Sequence, residues 1–303
     1  MKNLDLADVF QQHGANESAE IHVSMSINSK KAKKRLAQYV RYIVARHRRT
    51  LPVRMLVRCA QEVIQSYNNC STNTGLNGEE FVIRALARLG AAEIFDVGAN
   101  HGHWALCATK ICPTARIHCF EPIPATFQLL TAETRAYSSI LPVNQGMSNE
   151  PGQVEFQFNK DHDTLSSLCS SGVHALDFEV VKCSMTTGDQ YMRDRKLCHI
   201  DFLKIDVEGA EMQVLNGFAH ALQDKQITAI QFEYGMASII SRVLLYDYHK
   251  FFARHHYVVG AIYPNYVDFR DYSFRDENFL TPNFLAIRED NHDLRRLLNG
   301  TGS

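Results

Sequence analysis

Acidic and amide side chains gather at three points in this chain, the first and last marked by glycine: Asp96, Gly98, Asn100 and Gly102; then Glu121; then Asp206 and Glu208. Around the first, a short apolar run carrying one acid (Ile94, Phe95, Asp96, Val97) stops at a glycine-spaced loop, and 103–110 then reads as a helix. The pattern is strand, tight turn, helix. In a parallel sheet such a turn lies at the carboxyl end of the strand, where helix N-termini and bare backbone amides converge, and ligands of open α/β sheets bind at that edge.

The residue types narrow the ligand. Dinucleotide loops carry a middle glycine that lets a pyrophosphate approach the backbone, whereas Asn100 brings a side chain into that approach and Asp96 adds negative charge beside it. Both features disfavour a diphosphate and suit a ligand that ends in an ammonium group. S-adenosylmethionine has that form: an amino acid, a sulfonium and a nucleoside. Glu121 closes the next strand pattern, roughly twenty-odd residues on, where such folds place a carboxylate on the ribose hydroxyls.

The third point supplies the reactive acids. The stretch 200–206 reads as a strand with Lys204 and Asp206 on one face, turning at 207–209 into a helix. A lysine in a buried strand needs a carboxylate, and Asp206 or Glu233 is the expected partner. Asp206 and Glu208, at the strand tip, are expected to face the crevice beside Asp96 and to contact the acceptor or take its proton. His101, His103 and Glu233 follow as candidates, although a lone histidine at a helix start is more often a solvated or capping residue. Asp206, Glu208 and Glu233 could instead hold a divalent cation, but the sequence has no dedicated ligand spacing, and no metal residue is assigned.

Strands read at 94–97, 116–121, 140–144, 200–206, 227–233, 257–262 and 283–288, and helices at 79–89, 103–110, 125–137, 209–218 and 238–255. This alternation predicts an α/β, doubly wound sheet whose last two strands are antiparallel neighbours at one edge. Phe81, Ile83, Leu86 and Leu89 mark the apolar side of the first of these helices, and Tyr246, Tyr248, Phe251 and Phe252 a core-facing side of the last. Trp104 either lines the adenosine pocket or merely packs. Between 153 and 192 the period blurs: 154–158 alternates like a strand, and polar 161–172 resembles an active-site loop, with Asp161, His162 and Asp163 metal-like by composition only.

At 303 residues with 45% hydrophobic content, the chain can bury one full α/β core and still carry an appendage. No apolar run approaches the length of a spanning helix, and no charged segment followed by an apolar one opens the chain, so a cytoplasmic protein is expected. Eight cysteines scattered without a Cys-x-x-Cys pair agree with a reducing compartment. The net charge of −1 hides an asymmetry, because residues 30–58 hold eleven Lys and Arg and no acid. Leu36, Val40, Ile43 and Val44 mark one amphipathic helix there, and Pro52 opens another carrying Met55, Leu56, Cys59 and Val63. This basic stretch is either a solvated face on an acidic core, a clamp for an anionic acceptor, a dock on nucleic acid or membrane, or a contact between copies; no specific nucleic-acid recognition is expected. The polar stretch 71–78 reads as a linker, giving a basic helical extension over 1–75 and a catalytic domain over 76–303.

The motifs Phe-Asp-Val-Gly-Ala-Asn-His-Gly, Cys-Phe-Glu-Pro-Ile-Pro, Val-Asn-Gln-Gly-Met-Ser, Ile-Asp-Phe-Leu-Lys-Ile-Asp-Val-Glu-Gly-Ala-Glu and Gln-Phe-Glu-Tyr-Gly, in that order, closely resemble the FkbM-type family of S-adenosylmethionine-dependent methyltransferases. The resemblance spans roughly residues 78–288. It implies the seven-stranded class I methyltransferase sheet, order 3-2-1-4-5-7-6, and O-methyl transfer to a hydroxyl of a sugar, glycan or secondary metabolite. By position it assigns Asp96, Gly98, Asn100 and Gly102 to the cofactor loop, Glu121 to the ribose, Asn144 with Met147 to the adenine side, and Asp206 and Glu208 to the fourth-strand acids. Thr-Gly-Asp189 stands where the family more usually has Thr-Leu-Asp, so Asp189 receives no role. Two other readings compete: an NAD(P)-binding oxidoreductase and a non-catalytic S-adenosylmethionine-fold binding module.

Overall fold

The computed structural model describes residues 30–71, 73–158, 179–280 and 283–300, and the chain divides into two compact units, Met1–Gln61 and Glu62–Ser303. The division falls inside the helix Leu51–Tyr67. The polar stretch 71–78 belongs to the second unit and is fastened there: Asn69 Nδ2 donates to the carbonyls of Asn77 (2.7 Å) and Ile262 (2.8 Å).

The second unit is built on an eight-stranded sheet. Strands β1 (Glu93–Val97), β2 (Arg116–Phe120) and β3 (Ile140–Val143) run parallel to one another, and β7 (Ile200–Ile205) and β8 (Ile227–Glu233) continue the parallel run from β1. β11 (Asn283–Arg288) lies antiparallel between β8 and β9 (Tyr257–Tyr263). With β10 (Tyr266–Phe269) added at one edge, the order is β10-β9-β11-β8-β7-β1-β2-β3. Counting its other seven strands alone in chain order, the sheet reads 3-2-1-4-5-7-6; the eighth strand, β10, is a hairpin added to β9 and takes the edge expected for the last two strands. A run of four residues after a two-residue turn gives too little alternation to mark it.

Helices cover both faces, so the parallel strands are apolar on both sides. Alternate residues feed two cores: Ile94, Ile117, Phe202 and Ala229 enter one, whereas Phe95, Phe120, Leu203 and Ile230 enter the other. The helix Glu79–Arg88 buries Val82, Ile83, Ala85 and Leu86; Leu89, expected on that side, lies past its end and is exposed. The single helix expected over 238–255 is two, Met236–Ser241 and Leu245–Arg254, because Arg242 adopts the left-handed conformation at φ 58°. Its apolar face is narrower than expected, with Tyr248 and Phe252 buried and Tyr246 exposed.

A second, three-stranded sheet orders β4 (Gly146–Met147), β6 (Glu179–Thr186) and β5 (Gly152–Phe158). Only β5 had a legible pattern. The loop expected at 161–172, with Asp161, His162 and Asp163, lies outside the described residues. The described cysteines are free thiols, and no described helix is long and apolar enough to cross a membrane.

Candidate active site

The loop after β1 is shaped by close backbone packing. Gly98 N and Ala99 N both donate to the Phe120 carbonyl at 3.1 and 3.0 Å, tying the loop to the end of β2. Gly98 has φ 82°, and a Cβ there would collide with the Asp206 carbonyl oxygen. Gly102 also has φ 82°, and its Cβ would lie 2.6 Å from Leu130 and 2.9 Å from Thr134. These glycines therefore let the tips of β1 and β7 meet and the following helix seat.

That edge opens into a cavity of about 240 Å³. Gly98, Asn100, Glu121, Met147, Asp206 and Glu208 line it, which brings six of the expected residues to one crevice. Glu121 is held at the wall by two backbone donors, Asn100 N to Oε2 at 3.1 Å and Ile123 N to Oε1 at 2.9 Å. Asn100 keeps φ 47°, a left-handed conformation that asparagine tolerates better than most residues. Asn144 stands one step back: its Nδ2 donates to the carbonyls of Glu121 (2.9 Å) and Pro122 (3.2 Å), fixing the chain that carries Glu121. Phe120, Ile123, Phe156 and Met185 complete an apolar wall. Phe156 and Met185 come from the second sheet and were not foreseen; nothing local in the sequence pairs β5 with β6.

Besides Asn144, four expected residues do not line this cavity. His101 and Gly102 sit in the loop, with the His101 ring 5.8 Å from that of His103. Glu233 lies in a neighbouring pocket. Asp96 is fully buried behind the wall, on the core face of β1. Strand register sets Asp96 beside Lys204 and Lys204 beside Gln231. Lys204 Nζ lies 3.4 Å from Asp96 Oδ1 and 3.0 Å from Asp206 Oδ2, and 5.7 Å from the centroid of the Trp104 ring. Gln231 Nε2 then donates to Glu79 Oε1 at 2.5 Å, ending a polar row that crosses three strands and reaches a helix N-terminus. Burial pushes the Asp96 carboxyl up, and Lys204 opposes that. Burial alone would lower Lys204, but Asp206, Asp96 and Glu79 outweigh it and hold the ammonium charged. The expected Lys204 to Asp206 contact is present, Asp96 is the partner that was missed, and Trp104 packs in the core rather than against the cavity.

Beside the cavity, carboxylate oxygens of Asp206, Glu208 and Glu233 lie within 4.8 Å of one another. Glu208 also lines a smaller pocket with Glu211, Glu233 and Ser238. It is solvent-exposed yet hemmed in on the crevice side; displaced water, then the charges of Asp206 and Glu211, push its carboxyl up to about 7. Burial, followed by Asp206 and Glu208, pushes Glu233 up to about 9. Such oxygens could coordinate a hard divalent cation, but a proton on Glu233 relieves the same crowding. Glu211, another unforeseen residue, is buried and accepts from Val207 N (3.3 Å) and Gly209 N (3.0 Å), which sets the turn that presents Glu208. Asp189 caps a helix instead of entering the site, accepting from His220 N (2.9 Å) and Ala221 N (3.0 Å).

The family model described as "Methyltransferase FkbM domain" matches residues 96–259. The hexuronic acid methyltransferase AglP of Haloferax volcanii is 30% identical over 182 residues, covering 58% of this chain and 72% of that protein. The 31-O-demethyl-FK506 methyltransferase FkbM of Streptomyces tacrolimicus is 28% identical over 155 residues, covering 42% of this chain and 60% of that protein. Among solved structures, a methyltransferase FkbM from Methylobacillus flagellatus KT is 16% identical with a TM-score of 0.44, covering 65% of this chain and 43% of that one. The nicotinamide reading has no support in these matches. With the matched segment running from the first-strand acid to β9, the chain belongs to the FkbM family of S-adenosylmethionine-dependent methyltransferases.

Proposed function

We propose that the chain O-methylates a hydroxyl of a sugar or glycan, with S-adenosylmethionine in the 240 Å³ cavity and Glu208 as the general base. The observation that carries this reading is the position of Glu208, which lines both the cavity and the adjoining acidic pocket. The donor set fits the cofactor. Phe120, Ile123, Met147, Phe156 and Met185 offer a purine an apolar wall, Glu121 offers a ribose diol a fixed carboxylate, and Asp206 with Glu208 offsets a positive charge. The relative that acts on a hexuronic acid supports a sugar acceptor.

Bound S-adenosylmethionine supplies a methyl group on a sulfonium, a leaving group that needs no acid from the protein. The remaining work is alignment and proton removal. Asp206, held by Lys204, orients the acceptor hydroxyl. Glu208 takes its proton, and a carboxyl near 7 is matched to that task at neutral pH. Glu233, protonated, limits repulsion in the crevice. Asp96 contributes from behind through Lys204. Free thiols at the described cysteines support a reducing, cytoplasmic setting.

The test is methyl transfer, read by product mass, to a panel of uronic-acid, neutral and amino-sugar glycosides. Methylation of a hydroxyl on one of these agrees with the proposal. Transfer confined to nitrogen, or to non-sugar hydroxyls, rejects it.

A further inference from the structure

The first unit carries the helix Lys30–Arg46 and, after the turn at 47–50, the start of Leu51–Tyr67. Apolar side chains recur on both at three- and four-residue spacing, yet among residues 33–61 only Ile43, Val44 and Val53 are even half-buried. Leu36 is 65% exposed, Leu51 67%, and Met55 and Leu56 60% each. Helices of a globular core hide such a stripe, and an exposed one of this size marks an interaction surface. Residues 30–61 contain eleven Lys and Arg and no acid, so every full charge available beside these apolar side chains is positive. The two characters meet at a groove of about 420 Å³, floored by Val44, Val53 and Val57 and rimmed by Arg48, Arg54 and Arg58.

The partner must accept apolar side chains and supply negative charge together. A second copy would cover the stripe but bring eleven cations against eleven more. Nucleic acid would meet the charge and leave the leucines and Met55 in water. An anionic bilayer does both, taking the apolar face at the acyl boundary and the arginines at the headgroups. No described helix is long and apolar enough to cross a membrane, so these helices would lie in the plane of the interface.

We propose that residues 30–61 form an interfacial anchor that seats the chain on an anionic lipid surface. Nothing in the methyl-transfer reading requires it, and the two fail independently.

The test is co-sedimentation of the full chain with vesicles of phosphatidylcholine alone and of phosphatidylcholine with phosphatidylserine at roughly 7:3. Binding is expected only to the anionic vesicles, and it should weaken steeply as salt rises from about 0.1 to 0.5 M. The triple variant Arg48→Gln, Arg54→Gln, Arg58→Gln should partition about a hundredfold more weakly, about fivefold for each arginine. The double variant Leu36→Asp, Leu56→Asp should stay in the supernatant. Both variants should bind S-adenosylhomocysteine as the parent chain does, which separates loss of the anchor from loss of the fold. If the leucine variant misfolds, the arginine variant decides. The proposal is overturned if the parent chain does not pellet, pellets equally on neutral vesicles, or is unmoved by the arginine changes. Self-association or RNA binding without vesicle binding overturns it as well.

Discussion

Lys204→Met removes the cation that lies 3.4 Å from Asp96 and 3.0 Å from Asp206 while keeping much of the side-chain volume. The Asp206 side chain is 43% exposed and loses little, because water screens it. Asp96 is fully buried and would be left as an uncompensated charge. Its cheapest response is to take up a proton, at a cost of about 1.4 kcal/mol for each pH unit above the unfolded value of about 3.9; because burial already raises this carboxyl in the parent, the difference between variant and parent reaches at most about 4 kcal/mol near pH 7. That agrees with the ~3–5 kcal/mol lost when one partner of a buried pair is removed. The native variant then binds one proton more than its unfolded chain, so its stability falls as pH rises. The deficit relative to the parent should shrink as pH is lowered towards about 4. Adding Asp96→Asn should recover most of the loss, since the buried charge is gone. Urea unfolding of the parent, both single variants and the double variant from about pH 5 to pH 8 measures all of this. A loss below about 1 kcal/mol at neutral pH, or one that does not change with pH, would refute the account of the buried row.

Glu208→Gln should lower kcat by about 10² to 10⁴ with little change in S-adenosylhomocysteine affinity. In the parent enzyme kcat/KM should rise with pH through about 7 as Glu208 loses its proton, and this limb should vanish in the variant; a persistent limb assigns the base elsewhere. Gly98→Ala forces a Cβ against the Asp206 carbonyl at a positive φ, so it should cost more than about 1 kcal/mol in thermal unfolding and impair cofactor binding; a neutral effect contradicts the contact between the β1 and β7 tips. Asp189→Ala removes the acceptor for two amides and should cost about 0.5–2 kcal/mol while leaving KM for the cofactor unchanged, whereas a selective KM effect would return Asp189 to the site.

The strand, loop and helix from Glu93 to Ile111 were legible because β1 is apolar on both faces and ends abruptly at glycine. Glu121 was legible by its distance from that loop. What the sequence hid depends on pairing between distant segments. The lysine in β7 announced a need for a carboxylate, yet only register reveals that Asp96 stands beside it and that Gln231 and Glu79 extend the row. Asp206, Glu208 and Glu233 come from two strand ends, so no ligand-like spacing could announce their approach to within 4.8 Å. The apolar wall was obscured for the same reason: Phe156 and Met185 meet the cavity only once β5 and β6 pair into their own sheet. Backbone strain was also invisible, as at Arg242, where a left-handed residue splits an otherwise continuous helical pattern.

Calorimetric titration of S-adenosylmethionine into the parent chain and into Glu121→Ala bears most directly on where the cofactor binds. The account predicts one site per chain in the parent, weakened by about 1–3 kcal/mol in the variant through loss of charge-assisted hydrogen bonds. Equal affinity in the two proteins, with the variant folded, would contradict it.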